Sequence, residues 1–201
     1  MIYYKKSTQR TKTEYTYNRL FMKERRKPSD TIVSNKPENN GIPFDEYIGA
    51  IALRDWKERK ILLPSVVVAQ AIKESGWGTS ELAQSAKALF GIKQNGWQGK
   101  TYIKTATEQK KDGSVYKVEN TVWRAYDSWE QSVIDHNDYI ATRSTDGGKT
   151  LRYGEIIGCE DYKKVCAGLQ DCGYATSINY AESLIHDYIE RYHLIRFDAA
   201  N

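Results

Sequence analysis

The sequence predicts a mainly α domain of the α+β class, a set of helices with one inserted β-hairpin lobe, and three observations carry that prediction. Apolar residues recur at helical spacing over most of the chain from Pro43 onward. The period changes to two only between Lys100 and Tyr126, around the turn signal Lys111-Asp112-Gly113-Ser114. A content of 40 % hydrophobic and 28 % charged residues in 201 suits a soluble globular domain with a sizeable core, and excludes collagen-like or wholly disordered chains.

The elements follow in order. Phe44, Tyr47, Ile48, Ile51, Ala52 and Trp56 form one apolar helical face that runs to about Lys57. Pro64, welcome as a first helical residue, opens a second helix through Val67, Val68, Ala71 and Ile72, which must stop at Ser75-Gly76. A third is expected from a Thr79 or Ser80 cap through Glu81 to Ala88, ending at Leu89-Phe90-Gly91. Thr101–Thr105 and Tyr116–Val118 read as paired strands. Helices resume at Asp127, where Asp127-x-x-Glu130 resembles a capping box, then over Asp161 to Asp171 with Gly173 closing it, and finally from Asn179. Residues 142–158 read as loop.

Charge is unevenly distributed. The chain carries +4 overall, but residues 1–40 hold ten Lys/Arg against four acids, a net of +6, which leaves −2 for residues 41–201. Residues 1–41 are therefore expected to be a basic, solvated, poorly ordered arm and linker, or else an electrostatic handle for an anionic polymer such as teichoic acid. Residues 42–201 are expected to form the functional domain, with the β-lobe at about 98–126. No nucleic-acid partner is expected. Cys159, Cys166 and Cys172 lack C-x-x-C spacing and a histidine at zinc-ligand distance, so buried free thiols are expected. No stretch reaches the length of a membrane span, and Met1–Lys6 lacks the apolar core of a secretory signal.

Glu74 is the most informative residue. A carboxylate in the last turn of a helix faces the negative end of the macrodipole, and with Trp77 and apolar neighbours close by, desolvation acts in the same direction. Both effects favour a carboxyl that keeps its proton, as glycoside cleavage requires of its general acid. Position alone equally allows a solvated surface residue at a helix end.

The surroundings are more specific. The stretch Leu63–Gly78 with its Glu74-Ser75-Gly76-Trp77-Gly78, followed by Ser80–Ala83 and Leu89–Lys93, resembles the endo-β-N-acetylglucosaminidase domains of glycoside hydrolase family 73, which include autolysins, the flagellar peptidoglycan hydrolase and phage lysins. The resemblance continues through Gly96–Lys100, Trp123–Ser132, Asp135-His136 and Gly173–Thr176 with Asn179-Tyr180-Ala181, and so covers residues 44 to about 195 in order.

That resemblance implies a lysozyme-like fold, in which an α-lobe and a small β-lobe flank a glycan groove, and a peptidoglycan hydrolase that cuts the β-1,4 bond from N-acetylglucosamine to N-acetylmuramic acid. Glu74 stands at the family's general-acid position. The second carboxylate comes from the β-lobe, which makes Glu108 the candidate base and leaves Glu119 as an alternative. Tyr174 matches a tyrosine near the cleavage site, as a positioning or stabilising group. Gln70, Trp77, Phe90, Gly91, Trp97 and Tyr180 are the expected substrate-binding residues, since sugar faces stack on aromatic rings and Gly91 lets polymer approach the backbone. Phe90 and Trp123 also read as partly core, and Asp135 as structural. Carboxylates about 5 to 5.5 Å apart would imply retention and about 6.5 to 9.5 Å inversion, while the substrate's acetamido oxygen offers a third route. A muramidase, a lytic transglycosylase or a non-catalytic wall-binding module are the rival readings. Neither metal nor organic cofactor is expected, and against a catalytic metal His136, His186 and His193 lack paired spacing. The expected setting is the bacterial wall, reached by a monomer as a phage lysin, a virion-associated protein or a piece of a longer secreted one. The chain departs from the family at Ala88, where asparagine is frequent, and at Ser177-Ile178, where Asp-Pro is frequent.

Overall fold

The computed structural model describes residues 38–39, 41–110 and 113–199, all within one compact unit that spans residues 36–201. The basic arm and its anionic-polymer role, expected over residues 1–41, lie outside the described residues except at 38–39 and 41. Strand β1 (Glu38–Asn39) pairs antiparallel with β2 (Ile42–Pro43), so the unit begins a few residues before the boundary that charge suggests at Gly41.

Helix α1 (Phe44–Arg59) buries Phe44, Ile48, Ile51, Ala52 and Trp56, the face its spacing predicts, and ends where Lys60 turns left-handed and its N–H reaches the Trp56 carbonyl. Helix α2 (Pro64–Ser75) is buried at every position from Pro64 to Ile72, which makes it the central helix of the core rather than an amphipathic one. It packs against α1 and against both helical segments at the C-terminus. At its other end Gly76 adopts φ +57, and the Gly76 N–H bonds the Ile72 carbonyl.

Helix α3 (Glu81–Ser85) is shorter than the pattern predicts. Ser80 caps it by accepting from the Ala83 N–H, but Lys87 turns left-handed. The Ala86 carbonyl accepts from Tyr126 N–H and the Leu89 N–H donates to Ser132 Oγ, so tertiary partners take the groups that a longer helix would have used. Residues 92–94 then run beside the hairpin, with bonds from Arg124 N–H to the Ile92 carbonyl and from Gln94 N–H to the Val122 carbonyl.

The hairpin joins β3 (Thr101–Gln109) and β4 (Val115–Arg124), both longer than the strand signals, with an irregularity where Glu119 and left-handed Asn120 oppose Thr105. A small apolar cluster of Ala86, Ala88, Ala125 and Tyr126 seats its base on α3. Buried Ala88 thus belongs to this packing.

Helix α4 (Trp129–Thr142) is capped one residue later than predicted: Ser128 accepts from Gln131 N–H, and Gln131 reaches back to the Asp127 N–H. The segment 142–158, read as loop, contains a 3₁₀ turn at Gly154–Ile156 and a single bridge between Ser144 and Leu151. Helix α5 (Tyr162–Asp171) has Asp161 as its cap and left-handed Gly173 beyond its end, as expected. Helix α6 (Tyr180–Glu182) widens into a π-helical segment over Ser183–Glu190, and a 3₁₀ turn closes the chain at Leu194–Phe197. All three cysteines are free, but only Cys166 is buried, its thiol pushed up to about 12 by desolvation; Cys159 and Cys172 are half-buried because they flank α5 rather than face its core side. No helix among the described residues is long and apolar enough to cross a membrane.

Candidate active site

Glu74 stands in the last turn of α2, directly before a tightly wound exit. Ser75 Oγ donates to the Ala71 carbonyl at 2.5 Å and accepts from Gly78 N–H at 2.7 Å. Trp77 is left-handed at φ +61, and its N–H bonds the Ile72 carbonyl. The chain therefore reverses within four residues, and the motif Ser75-Gly76-Trp77-Gly78 is explained as a helix stop. A Cβ on Gly78 would lie 2.7 Å from the Phe44 ring and 3.0 Å from Trp129.

Tyr180, from the start of α6, donates its O–H to Glu74 Oε1 at 2.9 Å, and Gln70 Nε2 donates to the same phenol oxygen at 3.1 Å. Gln70 is one turn before Glu74 on α2, so a single helix face supplies both ends of the relay. Tyr174 tilts against Tyr180 with centroids 5.7 Å apart, meets Tyr153 at 6.4 Å and meets His136 edge-on at 5.8 Å. Glu74 keeps an open side to solvent while protein crowds it from behind. That crowding strips water from the carboxylate and raises its pKa, against opposing pulls from the Tyr180 hydroxyl and the Lys73 ammonium. Burial, followed by the charge of Glu74, likewise holds Tyr174 well above the usual tyrosine range, so it is a neutral donor.

Three expected substrate-binding residues need correction. Gln70 has no exposed surface and Tyr180 is 1 % exposed, so neither presents a surface to solvent; Gln70 bonds Tyr180 and Tyr180 bonds Glu74. Phe90 is buried and stacks on His136 at 3.9 Å, because the chain turns inward where it docks on α4. Trp77 is half-buried, edge-on to Tyr192 at 4.9 Å. Trp97 lies at the hairpin base, under the Arg124 guanidinium at 5.0 Å and beside Tyr126. Gly91 is left-handed at φ +55, and a Cβ there would lie 3.6 Å from the Trp123 ring.

Glu108, on β3, is half-buried and pairs with Lys93 Nζ at 2.7 Å. The exposed Glu119 instead accepts from Thr105 Oγ1 at 2.7 Å. Asp135 receives Arg124 Nη1 on both oxygens at 2.9 Å and the Tyr126 hydroxyl at 2.7 Å, which locks the β-lobe onto α4 and gives this acid the structural role expected of it. Two hollows, one beside Arg124 and Tyr139 and one beside Trp56 and Asp198, are not lined by Glu74.

Sequence reasoning did not single out His136, Tyr139, Tyr153 or Lys73 as neighbours of the site. His136 is fully buried, its Nδ1 bonded to Asn137 Oδ1, and burial holds its pKa down to about 4, so the ring is neutral. Lys73 Nζ bonds Ser183 Oγ at 2.9 Å and lies over the Tyr180 and Tyr188 rings. The 15 tyrosines were the available signal, since so many in one chain invite a search for a cluster. Among the described residues no group of three His, Cys, Asp or Glu could hold a metal.

Residues 50–194 match the glucosaminidase family, described as mannosyl-glycoprotein endo-beta-N-acetylglucosaminidase. The chain is 35 % identical over 144 residues to the exo-glucosaminidase LytG of Bacillus subtilis, covering 72 % of this chain and 49 % of that protein. It is also 35 % identical over 164 residues to a probable N-acetylmuramidase of Lactococcus lactis, covering 81 % of this chain and 36 % of that one. The chain thus spans half or less of these relatives' length. The catalytic domain of the autolysin Auto from Listeria monocytogenes superposes with a TM-score of 0.67 at 27 % identity, over 91 % of this chain and 97 % of that domain. With its helical lobe, its hairpin and Glu74 at the end of the central helix, the chain belongs to the glucosaminidase family, glycoside hydrolase family 73.

Proposed function

We propose that this chain is a peptidoglycan hydrolase that cleaves the β-1,4 bond between N-acetylglucosamine and N-acetylmuramic acid within glycan strands at the bacterial wall. The observation that carries the reading is the Gln70, Tyr180, Glu74 relay: it holds one carboxyl in a fixed rotamer, beside solvent, in surroundings that favour its protonated form. A general acid needs those properties, since it must hold a proton near neutral pH and deliver it to the leaving sugar oxygen.

Glu74 protonates that oxygen as the glycosidic bond breaks. Tyr174, neutral and close to Glu74, is suited to hold or polarise the 2-acetamido group. Glu108 is the proposed base, and it would have to exchange Lys93 for a water molecule or for the substrate to act. Trp77 and Trp97 are proposed as groove aromatics.

A second reading has support of its own, because one relative is named a probable N-acetylmuramidase. Digestion of purified peptidoglycan with mass spectrometry of the reducing ends separates the two. N-acetylglucosamine at the new reducing end supports the proposal, whereas N-acetylmuramic acid there would replace it with the muramidase reading.

A further inference from the structure

Over Ser183–Glu190 the chain winds as a π-helix and packs against α2. A π turn closes between residues i and i+5, so Ser183 and Tyr188 fall on one side, where α-helical winding would turn them roughly 140° apart. Both meet the same side chain on α2, that of Lys73.

Lys73 Nζ donates to Ser183 Oγ at 2.9 Å and lies 5.4 Å from the centroid of the Tyr188 ring. Tyr180, directly before the π-helical segment in the same helical run, adds a third wall, with its ring centroid 5.7 Å from the same ammonium. Ser183 Oγ in turn donates to Asp187 Oδ2 at 2.8 Å, which leaves its lone pairs for Lys73. One hydroxyl and two aromatic faces thus seat a side chain that is otherwise flexible.

The seat lies beside Glu74. The phenol that donates to Glu74 Oε1 belongs to the Tyr180 ring under Lys73, so the ammonium acts on the carboxyl in two ways. Its charge favours the ionised carboxylate directly, and across the ring it draws electron density from the phenol and strengthens that O–H as a donor. Both effects oppose desolvation and the helix C-terminus, which favour the protonated acid. The remaining titratable groups around Glu74 are the phenols of Tyr174, Tyr180 and Tyr188, which burial keeps neutral. Tyr192 stands against Trp77. Asp187 and Arg191, both exposed and of opposite sign, act on Tyr188 from the same segment. Lys73 is the cation that acts on Glu74 itself.

We propose that Lys73 is a positioning residue of the reaction: seated on the π-wound segment, its ammonium sets the highest pH at which Glu74 still delivers a proton. The inference rests on the reading of Glu74 as general acid. It also gives the π winding a purpose, since that winding is what places Ser183 and Tyr188 together around Lys73.

The test uses the full chain and two readouts: the titration midpoint of the Glu74 carboxyl by carbon-13 NMR, its signal assigned with Glu74→Gln, and kcat/KM against pH on soluble peptidoglycan strands. In Lys73→Met the midpoint and the basic limb of the profile should both move up, by about half a unit to one unit. Lys73→Arg keeps the charge and should stay close to wild type, while Ser183→Ala, which frees the ammonium, should fall between the two. Should Lys73→Met fail to fold, Ser183→Ala carries the same comparison. An unchanged Glu74 midpoint in the folded variants, or an equal shift in Lys73→Arg, would overturn the inference alone. A midpoint that moves while the basic limb stays in place would overturn the general-acid reading and the inference with it.

Discussion

Tyr180 donates its hydroxyl to Oε1 of Glu74 across 2.9 Å, from the far end of the chain to the last turn of the central helix. The bond orients the acid and, because it favours the ionised carboxylate, keeps its raised pKa from climbing further. As the proposed general acid Glu74 would have to carry a proton, so activity is expected to fall as pH rises through that elevated pKa.

Tyr180→Phe removes the donor and leaves Gln70 Nε2 without an acceptor. The basic limb of the kcat/KM against pH profile should move to higher pH by about one unit, since a hydrogen bond to a charged group is worth roughly 1.5 to 3 kcal/mol. The rate at the optimum should fall as well, because the carboxyl is no longer held in one rotamer. A profile identical to wild type would show that the bond is decorative.

His136 sets an acid limit on stability. Its folded pKa of about 4 lies below the ordinary 6.5, so the unfolded chain takes up a proton that the folded one refuses. Stability present above pH 6.5 should therefore erode as pH falls toward 4, by about 3 kcal/mol for this one group. Denaturant titrations across that window should show a shallower slope in His136→Gln than in wild type.

Gly78→Ala tests the helix stop. The added Cβ meets the Phe44 ring at 2.7 Å at a residue with φ +73, so both packing and backbone are strained. A loss of about 2 to 4 kcal/mol is expected, read as a lower unfolding midpoint.

Asp135→Asn should loosen the β-lobe selectively. It leaves the Arg124 guanidinium, 14 % exposed, without its partner, at a cost of about 3 kcal/mol. Amide exchange should accelerate in β3 and β4 while α2 stays protected.

Much of this architecture was legible in the residues, and the reasons are local. Pro64 and Gly76 bound α2, Ser80 and Asp161 cap their helices, and Gly113 marks the hairpin turn, each through backbone chemistry that spacing reveals. Failures came where distant partners decide. Helix α3 stops at Ser85 because Tyr126 and Ser132 claim its backbone groups, and the π winding after Glu182 has no period that a sequence window distinguishes from α. At the candidate site Glu74 was identifiable from its place in a motif, but aromatic type alone could not separate a groove surface from Phe90 or Tyr180, which are buried.

The central claim, that Glu74 is the proton donor in glycan cleavage, is tested most directly by comparing wild type with Glu74→Gln on labelled cell walls, alongside their unfolding curves. The rate of release is expected to fall by about 10² to 10⁴ with the fold intact. Release at the wild-type rate by a folded Glu74→Gln protein would contradict it.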